Sequence, residues 1–141
     1  MKLFLDANIL VSVLNKEYPV FSYSARILSL ADDTRFELIT SPICLAIAFY
    51  FSEKKSGSKF AKAKMEMLCR KLTIAAVGEL EVTKAITDKK VNDFEDGLEY
   101  YSALRSKCKY IITEDIADYY FSEIGVLNSQ AFIERLINGK I

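Results

Sequence analysis

The sequence predicts an α/β fold: a mostly parallel sheet of about five strands with helices on both faces. Short β-rich segments alternate with helical patterns along the whole chain. Hydrophobic residues make up 51% of the 141 residues, ample for a sheet buried on both sides. A carboxylate, Asp6, also interrupts an otherwise apolar N-terminal run just where a strand would end and a helix begin. In open α/β sheets that edge is where ligands bind.

Each element has a local reason. Lys2–Leu5 reads as the first strand, and apolar periodicity resumes at Ile9, Leu10, Val13 and Leu14 as in a helix. Val20–Ala31 carries apolar residues at Phe21, Ala25, Leu28 and Leu30, and Glu37–Thr40 is the second strand. Ser41-Pro42 starts a helix, with Ser as N-cap and Pro in the first turn. That helix is apolar nearly all round through Phe51, which predicts burial between other elements. Ser56-Gly57-Ser58 is a break, followed by a basic helix from about Lys59 to Lys71. A strand over Thr73–Val77 and a helix over Glu79–Thr87 come next. A helix from near Asp93 to near Ser106 leads into a strand at Tyr110–Thr113. A short helix after Asp115, a strand at Gly125–Leu127 and a helix over Ser129–Asn138, closed by Gly139, complete the chain. Right-handed crossovers would join the parallel strands. With no repeat or long linker, residues 1–141 are expected to form one domain.

Composition excludes much chemistry. The chain has no histidine, which removes Ser-His-Asp and Cys-His catalysis and His-ligated zinc. Three scattered cysteines, Cys44, Cys69 and Cys108, suit reduced thiols in a cytoplasm and serve most simply as small core filler. Asp6 breaks the N-terminus before a signal sequence can form, and the longest apolar run, Ile43 to Phe51, is too short to span a bilayer, so no membrane association is expected. Lys+Arg and Asp+Glu balance at 19 each, so net charge points to no partner.

Acidic residues gather at predicted strand ends. Strand one ends at Asp6, and strand four runs into Glu114-Asp115 with Asp118 one turn later. The helix before strand four opens with Asp93-Phe94-Glu95-Asp96, whose Asp93 and Asp96 can share a face. Clustered carboxylates repel unless a cation offsets them, and Mg2+ or Mn2+ is the usual oxygen-loving choice. Metal-assisted phosphodiester hydrolysis is the implied chemistry. Each acid also has a plainer use. Asp93 can be an N-cap with Asp96 in the first turn, Asp6 and Asp115 can cap the helices that follow them, and Asp118 and Glu114 can be solvated surface. Asn8 could orient Asp6 or serve only the turn.

Three motifs resemble the PIN domain family, the fold of VapC-type toxin ribonucleases. They are Phe4-Leu5-Asp6-Ala7-Asn8-Ile9-Leu10, Asp96-Gly97-Leu98-Glu99-Tyr100-Tyr101-Ser102-Ala103 and Tyr110-Ile111-Ile112-Thr113-Glu114-Asp115, in the family's order. The resemblance covers essentially the whole chain. It implies a three-layer α/β/α fold and an acidic Mg2+ or Mn2+ site that cleaves single-stranded RNA. Asp6, Asp96 and Asp115 would be the catalytic metal ligands, helped by Asp93 or Asp118. Asn8, Ser41 and Thr113 would position them, and Lys59 and Lys62 would meet the substrate. An antitoxin protein and a homodimer are the partners the resemblance implies. One departure stands out: the family's second-helix acid falls on Ile47, and no acid follows before Glu53.

Charge is unevenly spread. Lys54–Lys71 holds seven cations against Glu66, a balance of +6, while Glu79–Glu99 holds seven acids against three lysines, or −4. A basic arm beside an acidic site suits a nuclease, although a lysine-rich face can simply be solvated. Tyr50 and Tyr101 can stack bases or pack at the core rim. The competing function is a PIN-like module, impaired by Ile47, that binds RNA or a protein. A dehalogenase-type phosphatase would want an acid at Asn8, and a receiver domain an Asp after strand three, where Val77-Gly78-Glu79 stands. No Gly-rich phosphate loop is present for an NTPase.

Overall fold

A computed structural model describes residues 1–141. Five parallel strands, β1 (Lys2–Leu5), β2 (Glu37–Thr40), β3 (Thr73–Ile74), β4 (Tyr110–Ile112) and β5 (Gly125–Leu127), lie in the order β3-β2-β1-β4-β5. Seven α-helices surround them: α1 (Ala7–Leu14), α2 (Phe21–Ser29), α3 (Pro42–Ser56), α4 (Ser58–Cys69), α5 (Glu79–Thr87), α6 (Phe94–Arg105) and α7 (Ser129–Ile137). The result is the three-layer α/β/α architecture.

The central strand explains the apolar N-terminus. β1 pairs with β2 through Leu3↔Leu38 and with β4 through Phe4↔Ile111, so both its edges are occupied. Both its faces are covered too: Leu3, Phe4 and Leu5 are at most 1% exposed. A strand buried on both faces reads as a continuous apolar run rather than an alternation. From β1 the chain builds outward to β2 and β3, then returns to add β4 and β5 on the other side. The strand order therefore reverses between β1 and β4, and a crevice opens there at the carboxyl ends.

Two expectations change. The third strand covers Thr73–Ile74 rather than Thr73–Val77; it is an edge strand, paired only with β2 and exposed. Helix α3 is not enclosed, because Tyr50 and Phe51 on it are 57% and 45% exposed. Its inner stripe is Cys44, Ala48 and Ser52, small residues four apart that bring α3 close against α1. The break between α3 and α4 is one residue, Gly57, whose φ of 81° suits glycine. The short helix after Asp115 is a 3-10 turn over Ile116–Tyr119.

Candidate active site

Asp6 combines capping with site building. Its Oδ1 accepts the Ala7 N–H at 2.7 Å, capping α1, and its Oδ2 accepts the Thr113 hydroxyl at 2.8 Å. The Asp6 N–H donates to the Ile112 carbonyl, which fixes the end of β1 against the end of β4. Thr113 is fully buried, so its hydroxyl is a rigid support for the carboxylate.

Asn8 ties the two strand ends together. Its amide donates to Thr113 Oγ1 at 3.0 Å and to Asp115 Oδ2 at 3.2 Å, and its carbonyl accepts the Glu114 N–H. Thr113 Oγ1 also accepts the Asp115 N–H. The residue therefore does more than shape a turn: it aims Asp115. Asp115 makes no capping bond to the turn that follows it. Glu114 points away and accepts the Ser129 N–H at the start of α7.

The first turn of α6 supplies the third side. Asp93 is its N-cap, accepting the Asp96 N–H, and does not line the cleft. Asp96 does, together with Glu95. Gly97 permits this placement, since a Cβ there would lie 2.7 Å from Val91 Cγ1 and 2.9 Å from Ala85 Cβ. Only a residue without a side chain lets α6 settle so closely on α5. The resulting cleft, about 410 Å3, is lined by Asp6, Asn8, Glu95, Asp96, Asp115 and Asp118, with Val11, Ile47 and Phe51 as an apolar wall. Asp118, read as possible solvated surface, faces this cleft.

Beneath the cleft is a group that sequence reasoning missed. Glu99, one turn beyond Asp96, is 1% exposed. Both its oxygens lie 2.9 Å from the Ser41 hydroxyl, which donates to them, and the Cys44 thiol donates to Oε2 at 2.6 Å. Cys44 Sγ is also 3.7 Å from Asp6 Oδ1. Ser41 thus caps α3 through the Cys44 N–H and holds Glu99 at the same time. Cys44 is not simple core filler. The spacing Asp93, Asp96, Glu99 carried a signal, because a third acid at the same interval extends the same helical face.

The electrostatics follow from crowding. Burial, partly offset by the Thr113 and Ala7 hydrogen bonds, raises the Asp6 pKa. Asp96 is pushed up to about 7 by burial and then by the charges of Asp93, Asp118, Asp6 and Glu95. Glu99 also rises to about 7, again mainly through burial, against the lowering effect of its Cys44 and Ser41 bonds. Glu95 is raised by burial and by Asp93. No lysine or arginine forms an ion pair with any of these acids. Asp6, Asp96 and Asp115 line one cleft with carboxylates, the donor type a hard divalent cation takes, and a cation there would offset their repulsion.

The expected substrate lysines lie elsewhere. Lys59 and Lys62 are exposed on α4 and do not line the cleft. Tyr101 is partly buried and donates its hydroxyl to Asp88, as rim packing predicts, whereas Tyr50 is exposed beneath Lys54 Nζ, 5.5 Å from its ring centroid.

The chain is similar to known proteins over nearly its full length. A PIN domain family profile matches residues 2–117. Ribonuclease VapC1 of Aquifex aeolicus (strain VF5) is 30% identical over 138 residues, covering 95% of this chain and 94% of that protein. Among solved structures, VapBC2 from Rickettsia felis, bound to a DNA fragment from its promoter, superposes with a TM-score of 0.70 at 20% identity, covering 91% of this chain and 98% of that one. VapC20 of Mycobacterium tuberculosis, a toxin that cleaves the sarcin-ricin loop, gives 0.65 at 14% identity, covering 87% and 98%. Profile, relative and fold agree with the crevice between β1 and β4: this chain belongs to the PIN domain family.

Proposed function

We propose that the protein is a metal-dependent endoribonuclease that cleaves single-stranded RNA, the toxin of a toxin–antitoxin pair. The observation that carries this is the convergence of Asp6, Asp96 and Asp115 on one cleft from three separate elements. Mg2+ or Mn2+ held there would activate water and stabilise the phosphoryl transition state. The chain's own residues set the geometry. Thr113 fixes Asp6, Asn8 aims Asp115, and the close α5–α6 approach at Gly97 holds Asp96. Lys59 and Lys62 on the basic arm would meet phosphates outside the cleft.

The similarity to a VapC ribonuclease and to a VapBC complex supports an antitoxin protein as partner. A homodimer belongs to the same reading. Three free thiols fit a cytoplasmic setting, and no helix is long and apolar enough to cross a membrane.

Ile47 favours a second reading. It places an apolar side chain on the cleft wall where an acid was expected, which suits an impaired module that binds RNA or a protein without cutting it. Incubation of unstructured RNA with the protein and Mn2+ separates the two. The nuclease gives cleavage that Asp6→Asn and Asp96→Asn each abolish. Cleavage that is absent, or indifferent to both substitutions, refutes it.

A further inference from the structure

We propose that Asp6, Cys44 and Glu99 form a second, inner cation site of mixed sulfur and oxygen donors, suited to a borderline-soft divalent ion such as Zn2+ or Co2+ rather than Mg2+. One carboxylate oxygen from each acid and Cys44 Sγ all lie within 4.8 Å of one another. The three donors come from the end of β1, the first turn of α3 and the second turn of α6, so the fold, and no single helix, assembles them.

Burial sets this group apart from the open cleft. Asp6, Cys44 and Glu99 are 8%, 0% and 1% exposed, and neither Cys44 nor Glu99 lines the cleft. Buried carboxylates are normally paired with a cation or bound to a metal. The chain provides its own comparison. Glu81, another fully buried acid, is paired with Arg105 at 2.8 Å. Asp6 and Glu99 have no basic partner, only hydroxyl, thiol and backbone donors.

An independent observation points the same way. Tyr119, 2% exposed on the turn after Asp115, has a buried hydroxyl without a hydrogen-bond partner. The turn that carries Tyr119 packs against α6, the helix that carries Glu99. A buried, orphaned donor beside uncompensated acids marks a place prepared for something further. Three protein donors also leave a coordination position for water or substrate, and a thiolate favours Zn2+ or Co2+ over Mg2+. Binding would release the Cys44 proton to solvent. Asp6 serves both positions, with Oδ1 towards Cys44 and Oδ2 held by Thr113. The inner site thus supplies a buried carboxylate, from α6, in a fold whose α3 carries Ile47.

The inference rests on the nuclease reading only for the purpose of the ion. It is tested without RNA. Metal-free protein is titrated with Co2+ and its near-ultraviolet spectrum recorded. The expected result is a sulfur-to-cobalt charge-transfer band that Zn2+ displaces and excess Mg2+ does not. Cys44→Ser abolishes the band, the double variant Cys69→Ser/Cys108→Ser keeps it, and Glu99→Gln weakens Co2+ binding about tenfold or more. The wild-type spectrum needs no variant to fold, so a band absent at saturating Co2+ overturns the proposal by itself, as does a band that survives Cys44→Ser. RNA cleavage is scored separately. A cobalt–sulfur band without Asp96-dependent cleavage leaves this site standing and removes the nuclease reading. Mg2+-dependent cleavage without the band does the reverse.

Discussion

Glu99→Gln in the metal-free protein gives the sharpest energetic test of how the site is held. Glu99 is 1% exposed and its pKa is raised from 4.5 to about 7, chiefly by burial. A folded-state pKa above the unfolded one means that the folded chain binds the proton more tightly. The contribution to stability is therefore complete below the unfolded value and is lost as pH rises through about 7. At about 1.4 kcal/mol for each pH unit between the two values, ionised Glu99 destabilises the fold by roughly 3 kcal/mol at pH 8. Glutamine keeps an oxygen for Ser41 and Cys44 but has no charge to bury. Urea unfolding with a chelator present should show Glu99→Gln more stable than wild type by about 3 kcal/mol at pH 8 and by about 1 kcal/mol or less at pH 5. A variant less stable at pH 8, or a difference that is the same at both values, would refute the view that burial of an uncompensated charge dominates here.

Other outcomes follow from the same geometry. Gly97→Ala puts a methyl within 3 Å of Val91 and Ala85, so chemical denaturation should register a loss of about 1–3 kcal/mol and RNA cleavage should fall as Asp96 shifts. An unchanged melting temperature would show that α5 and α6 can separate freely. Asn8→Ala removes three hydrogen bonds between α1 and the β4 loop; stability should drop by about 1–2 kcal/mol, and cleavage by about tenfold or more, because Asp115 loses its aim. Full activity in that variant would mean that Asp115 is placed by its backbone alone. Lys59→Glu with Lys62→Glu should weaken RNA binding and lower the slope of log affinity against log salt by roughly 0.7 for each phosphate no longer neutralised. An unaltered slope would assign those lysines to the solvated face.

Much of the fold was legible because its signals are local. Strand β1 is an unbroken apolar run since it is central and covered on both faces, and a charge at its end is conspicuous for the same reason. Ser41 with Pro42, and Gly57, mark helix limits through backbone chemistry that each residue carries by itself. Edge strand β3 was overestimated because Ala75, Ala76 and Val77 continue an apolar pattern while β2 offers only a short register for pairing. Helix α3 was placed too deep because its apolar residues run all round, whereas what it packs against is decided by α1 and α4.

For the site, the sequence by itself determined the carboxylates at the ends of β1 and β4 and on the first turn of α6, because parallel topology sends those ends to one edge. It also put Ile47 at the position where the family resemblance led us to expect an acid. Tertiary structure alone decided which acids are partners. Asp93, exposed, only caps its helix, while Glu99, among apolar neighbours in sequence, is carried by the α6 face to Ser41 and Cys44, residues 58 and 55 positions away. Spacing along one helix is a local quantity, but the distance between a thiol on α3 and a carboxylate on α6 depends on how two helices cross the ends of a shared sheet. That crossing is set by packing across the whole chain, and it is what turns Asp6 from a lone strand-end charge into the residue shared by the cleft and the buried group beneath it.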